Sequence, residues 1–153
     1  MTTDIAPGEV SNTWFGGAEV TALREIAAGV TPLRGRRIKR TLLLSVDHDA
    51  SQPQIERFES ELIAMTEHIS AIRSWALSRA DTSRSNSGWT HIWEQEFDDT
   101  VGLEVDYLLH PYHWTRVDRW FDPEIPDSIV EPGFAHLYRW AEGPVLGAHD
   151  GSS

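Results

Sequence analysis

The chain of 153 residues contains no cysteine. Disulfides, thiolate nucleophiles, zinc–thiolate sites and iron–sulfur clusters are thereby excluded. Lysine is almost as scarce: Lys39 is the single lysine among 13 basic residues, so a Schiff-base mechanism would have to run through that one side chain. No apolar run approaches the roughly 18 residues that a membrane-crossing helix needs. The opening MTTDIAPGEV has neither the basic nor the apolar stretch of a secretory signal. A soluble, cytoplasmic protein with no membrane partner is the expectation. There is no glycine-rich phosphate loop, no nucleophilic-serine motif and no His-Glu-x-x-His pair, so nucleotide-dependent and metalloprotease activities are not expected.

What is present suits one globular domain, with 40% apolar and 24% charged residues. Acidic residues number 24, for a formal net charge of −11. Five bases, Arg34, Arg36, Arg37, Lys39 and Arg40, form one cluster, and everything beyond it carries 20 acids against 7 bases. So negative a surface repels phosphate backbones, and nucleic acid is not an expected partner. Seven tryptophans imply a large aromatic core, an aromatic-walled cavity, or both.

The periodicities divide the chain into three parts. Residues 1–35 read as an extension interrupted by Pro7-Gly8 and Gly16-Gly17, with a short helix over Ala18 to Ala28 (Val20, Leu23, Ile26 and Ala27 on one face) and Gly29 as its cap. Residues 36–140 form the domain. In it Ile38 to Val46 alternates as a strand, with Ile38, Arg40, Leu42 and Leu44 on one face. Ile55, Phe58, Leu62, Met65, Ile69 and Ile72 step by three or four and predict an amphipathic helix from about Pro53 to Ser70. Ile72 to Arg79 is a second strand, and Asp81 to Gly88 is a polar loop. Trp89 to Phe97 is a third strand, carrying Trp89, His91, Trp93, Gln95 and Phe97 on one face. Asp98, Asp99 and Thr100 are candidate caps for a helix to about Leu109. His110-Pro111 interrupts it, and Pro111 opens another helix through Trp114, Val117 and Trp120. Asp122 to Gly133 is irregular, and Phe134 to Trp140 is a fourth strand. Residues 141–153 read as a flexible polar tail. Four strands covered by helices on one face leave the other face bare, and homodimerisation through the sheets is the physical expectation.

The segments Gly88-Trp89-Thr90-His91 and Tyr107-Leu108-Leu109-His110-Pro111-Tyr112-His113 resemble two elements of the stress-responsive A/B barrel (Dabb) family, Gly-Tyr-Thr-His and Tyr-x-x-His-Pro-x-His. Ile38-Lys39-Arg40 is similar to the family's Val-Lys-His opening of the first strand. The resemblance covers about residues 38 to 140. It implies an α+β, ferredoxin-like fold, with a four-stranded antiparallel sheet, helices on one face and two copies joined as a dimeric α+β barrel. Arg40 stands where the family has histidine. The stretch from Phe97 to Tyr107 is one residue longer than the family's, which calls for either a bulge in the helix or another register before Tyr107.

The family is functionally mixed and includes a plant polyketide cyclase. By resemblance, His113 is the catalytic base, with Tyr107 assisting it, and no cofactor or metal is required. Arg40, a fixed cation on a strand face, is added to the catalytic set as a partner for a substrate carboxylate or enolate. Its other reading is a side chain that reaches water at the strand's start. The substrate-binding candidates are His91, Trp89, Trp93, His110, Leu42 and Leu44. His110 reads mainly as a structural group at the helix break. A metal held by His91, His110 and His113 is the weaker alternative, because no carboxylate is placed with them. The expected function is a cofactor-independent polyketide cyclase or isomerase acting by general acid–base chemistry on a small-molecule substrate in bacterial secondary metabolism. The alternatives are a non-catalytic small-molecule-binding protein and a cofactor-free monooxygenase.

Overall fold

The computed structural model describes residues 18–147. Five strands make one fully antiparallel sheet: β1 (Leu23–Gly29), β2 (Arg37–Leu44), β3 (Ser74–Ala80), β4 (His91–Phe97) and β5 (Ala135–Ala141). Their spatial order is β1-β3-β4-β2-β5. One helix of 17 residues, α1 (Gln52–His68), crosses one face. Its start is fixed by a capping box: the Ser51 hydroxyl accepts from the Gln54 amide N–H at 3.3 Å, and the Gln54 side chain accepts from the Ser51 N–H at 2.8 Å. Pro53 occupies the first turn. Phe58, Leu62 and Met65 are buried on the stripe that the periodicity marks out, against Leu77, Trp93 and Phe97 of the sheet.

Three expectations are corrected. The sheet has five strands, because the segment expected as a helix over 18–28 is the edge strand β1, paired with β3 from Leu23↔Ala80 to Gly29↔Trp75. Gly29 does not cap a helix. It lies under Trp75, and a Cβ at this position would sit 2.5 Å from the indole Nε1. The segment before residue 36 is thus partly built into the sheet.

The face opposite α1 is not a bare apolar surface. Arg37 bonds Glu96 at 3.4 Å and Lys39 bonds Glu94 at 3.0 Å across β2 and β4, and all four side chains are mostly or wholly enclosed. Part of the expected tail packs there too, where the Val145 and Leu146 N–H groups donate to Glu96 Oε1 at 2.7 and 2.9 Å.

The helical region after β4 is wound wide. Asp99 accepts from the Gly102 N–H at 2.9 Å as a cap. Gly102–Tyr107 and His113–Val117 are both π-helical. The Leu108 N–H reaches the carbonyl five residues back, Leu103 O, at 3.2 Å. A wide turn holds one residue more than an α-turn and accommodates the additional residue between Phe97 and Tyr107. Between the two segments, His110 Nδ1 accepts from the Tyr112 N–H at 3.1 Å, which ties the break before Pro111.

Candidate functional site

Alternation along β2 sends Arg40 and Leu42 toward the helical layer, and their register partners on β4, Gln95 and Trp93, face the same way. On the other flank β5 pairs His136 with Leu42. The wide helices bring Tyr107, His113, Val117 and Asp118 over these strands. The result is a cavity of about 250 Å³ bounded by Arg40, Leu42, Leu62, Trp93, Tyr107, Leu108, His113, Val117, Asp118, Phe121, Phe134 and His136. Its wall is apolar except for a few convergent polar groups, the usual make-up of a small-molecule site.

Arg40 is 5% exposed. Its Nη1 donates to Gln95 Oε1 at 2.6 Å and to the Tyr107 hydroxyl oxygen at 3.1 Å, and its Nε donates to His136 Nε2 at 2.8 Å. These three acceptors leave Nη2 without a protein partner among the described residues. Tyr107 is buried, with its ring 5.4 Å from Phe97 and edge-on to His113 at 4.8 Å between centroids. Its hydroxyl oxygen is occupied by Arg40, so its own proton is free to be donated.

His113 Nδ1 lies 3.3 Å from Asp118 Oδ1, within reach of charge attraction but not aligned as a hydrogen bond, and it has no other partner. Nε2 is therefore the nitrogen left for a guest. Burial pushes the His113 pKa down, Asp118 offsets this in part, and the charges of Arg40 and His110 push it further down. Burial raises the Asp118 carboxyl, against the pull of His113. Burial and the Arg40 charge lower the His136 pKa and favour its neutral ring, whose Nε2 accepts from Arg40 Nε. At neutral pH the site thus holds an unprotonated imidazole beside a permanent cation.

Of the sequence candidates, Arg40, Tyr107, His113, Leu42 and Trp93 all border this cavity. Four other candidates lie elsewhere. His91 pairs with Leu44 at the far end of β2, four residues or about 13 Å along the strand from Arg40's partner Gln95. There it bonds Thr90 Oγ1 at 2.9 Å and Glu59 Oε2 at 3.2 Å, and Glu59 is gripped by Arg79 at 2.6 and 2.5 Å. It is a core histidine satisfied by a buried carboxylate. Leu44 is fully buried core. Trp89 precedes β4 and donates its indole N–H to Glu19 at 2.8 Å. His110 has the structural role at the helix break. His91 thus lies apart from His113, and the three histidines weighed as a metal set do not come together with ligand spacing. Among the described residues the group with ligand spacing is the exposed turn Asp47, His48 and Asp49, which does not border the cavity.

Of the polar groups that the sequence did not nominate, Asp118 and His136 border the cavity and Gln95 holds Arg40 from outside it; the apolar Leu62, Leu108, Val117, Phe121 and Phe134 complete the wall. Gln95 shares the strand face with Trp93 and sits opposite Arg40, a signal that strand pairing alone would have exposed.

The sheet order, the single long helix and the covered face define a ferredoxin-like α+β protein with a pocket between sheet and helices. Residues 38–131 match the model of the stress responsive A/B barrel domain, and the chain belongs to that family. Solved structures agree on the fold. A Dabb family protein of Mesorhizobium loti has 19% identity and a TM-score of 0.53, with 69% of this chain and 96% of that one covered. A dimeric ferredoxin-like protein of unknown function from Thermobifida fusca has 16% identity and a TM-score of 0.54, covering 71% and 93%. The hydroxynitrile lyase of Passiflora edulis has 14% identity and a TM-score of 0.54, covering 72% and 96%. Among curated proteins none matches the chain by sequence.

Proposed function

We propose that the chain is a cofactor-independent enzyme of the cyclase or isomerase type, which moves a proton next to the carbonyl of a small polyketide-like compound. The observation that carries this reading is the convergence of His113, Tyr107 and Arg40 on the wall of one largely apolar cavity, with the His113 ring edge-on against Tyr107 and Arg40 bonded to the phenol oxygen. The guest's carbonyl oxygen accepts from the Tyr107 O–H. Arg40, bonded to the same phenol oxygen, strengthens that donor and places a fixed positive charge where the enolate forms. His113 Nε2 takes the proton from the carbon next to the carbonyl, and Asp118 steadies the imidazolium. The enolate carbon then attacks a second carbonyl of the same molecule, forming the ring's carbon–carbon bond. The alkoxide so formed takes back the proton from His113. Folding a chain into attack geometry in a fitted cavity contributes much of the acceleration.

A second copy completes the assembly in this reading. The face opposite α1 presents the half-buried Leu43 and the largely exposed Leu137 alongside its ion pairs. The test of the chemistry is deuterium washout from α-deuterated acetophenone followed by proton NMR. The wild-type protein accelerates washout and His113→Gln does not, with circular dichroism of the two unchanged. Equal rates for the two proteins would refute the proposal.

A further inference from the structure

Three basic side chains are at least nine-tenths buried: Arg37, Lys39 and Arg40. Two of them have a carboxylate. Arg37 has Glu96 and Lys39 has Glu94. Arg40, on the cavity side of the same strand, has none among the described residues. Its acceptors are an amide oxygen, a phenol oxygen and an imidazole nitrogen, all neutral. The one carboxylate on the cavity wall, Asp118, stands beside His113, and burial raises its own pKa. A buried charge without a counter-charge is costly, and the neutral dipoles around Arg40 compensate it only in part. The guanidinium keeps one nitrogen, Nη2, without an acceptor, and planar guanidinium donors match a carboxylate.

The remaining wall sets the body of the ligand. Leu42, Leu62, Val117, Phe121 and Phe134 are apolar, and Trp93 adds an indole N–H that is buried without a partner. An apolar cavity of about 150 Å³ holds one benzene ring, so the 250 Å³ here fits one ring or a short chain with a small polar head.

We infer that the cavity takes a small organic acid in its anionic form, with the carboxylate on Arg40 and a single ring or short chain against Trp93, Phe121 and Phe134. This deepens the proposed function by naming the charge and size of the substrate, and it rests on reading the cavity as a guest site. The guest's negative charge takes the place of the counter-ion that the described residues do not supply.

The experiment compares phenylacetate with its neutral isostere phenylacetamide by titration calorimetry at pH 7. The wild-type protein binds the carboxylate at least tenfold more tightly. A smaller preference, or no binding of phenylacetate at millimolar concentration, overturns the inference. Arg40→Gln, folded by circular dichroism, loses the preference, and a preference that survives in it also overturns the inference. Should that variant not fold, wild-type nuclear Overhauser contacts decide. Contacts from the phenylacetate ring to Trp93 and Phe121 are expected, and contacts only elsewhere refute the assignment. A protein that binds phenylacetate through Arg40 yet accelerates no deuterium washout keeps this inference and loses the enzymatic reading. Washout without carboxylate preference does the reverse.

Discussion

Arg40 and Tyr107 lie 67 residues apart in the chain, and the guanidinium Nη1 donates to the phenol oxygen at 3.1 Å. The guanidinium carbon is also 5.0 Å from the tyrosine ring centroid. One cation thus engages both the oxygen and the ring of its neighbour, on a strand and a helix that only the folded chain brings together.

Tyr107→Phe keeps the ring packing against Phe97 and His113 but removes the hydroxyl. Loss of one donor to a developing oxyanion is expected to lower turnover on the order of 10²-fold. Arg40→Gln removes the group that strengthens this donor. Because each variant abolishes the same hydrogen bond, the double variant should be less damaged than the product of the two, with a coupling of about 0.5–3 kcal/mol. Steady-state kinetics of the four proteins measure it. Strict additivity would mean that the two groups act separately.

Glu59 and His91 test the opposite assignment, a structural one. Glu59 is 4% exposed. Burial pushes its pKa up, but the bonds and charge of Arg79, with His91, bring it below the ordinary value. Glu59→Gln leaves Arg79 and His91 facing a neutral amide in the core. Since the Arg79 side chain is 28% exposed and can turn toward water, the expected loss is about 2–3 kcal/mol in urea unfolding, below the full cost of breaking a buried pair. The ratio kcat/KM should stay within about twofold, because neither Glu59 nor His91 borders the cavity. A tenfold fall in kcat/KM without loss of stability would return His91 to the site.

Much of this arrangement was legible in the sequence, and the misses have physical causes. Alternation placed Arg40 and Leu42 on one face, and the apolar steps from Ile55 to Ile69 marked α1. β1 was misread because Val20, Leu23, Ile26 and Ala27 fit a helical stripe. A strand at the sheet's edge is mostly exposed, and its irregularity between Glu25 and Ala27 erases the period of two. Asp118 was missed because residues five apart do not meet on an α-helix, whereas the π-helical winding after Tyr112 sets Asp118 beside His113. His136 reaches Arg40 across 96 residues, through a pairing of β2 with β5 that periodicity does not encode. His91 was assigned to the site because alternation gives the face of a strand and not the position along it.

Gly29→Ala tests the edge strand. The added methyl carbon would meet the Trp75 indole at 2.5–3.2 Å, and Trp75 in turn packs on Trp93 with centroids 5.8 Å apart. Relief requires a shift of β1 or of the indole, at an overpacking cost of about 1–3 kcal/mol. The thermal midpoint should fall, and hydrogen exchange should quicken in residues 23–29 before it does in β2 and β4. An unchanged midpoint would mean that β1 is not held against Trp75.

Three histidines, His91, His113 and His136, have pKa values lowered chiefly by burial. In the unfolded chain each titrates near 6.5. As pH falls through that value the unfolded state takes up protons that the folded state refuses, so stability is highest above about pH 6.5 and declines as pH drops toward the lowered folded values. Asp118 acts in the opposite direction at lower pH: its folded pKa is raised from 3.8, so it favours the folded state below its raised value. The net expectation is a thermal midpoint that falls from pH 7 to pH 5, with His91→Gln flattening the slope because it removes the most deeply buried of the three. Activity follows the same sign. A base is competent only when unprotonated, and burial lowers the His113 pKa, so the acid limb of kcat/KM should lie below pH 6.5. A rate profile whose acid limb lies above 6.5 would show that the group responsible is stabilised in its charged form, which the environment of His113 does not permit.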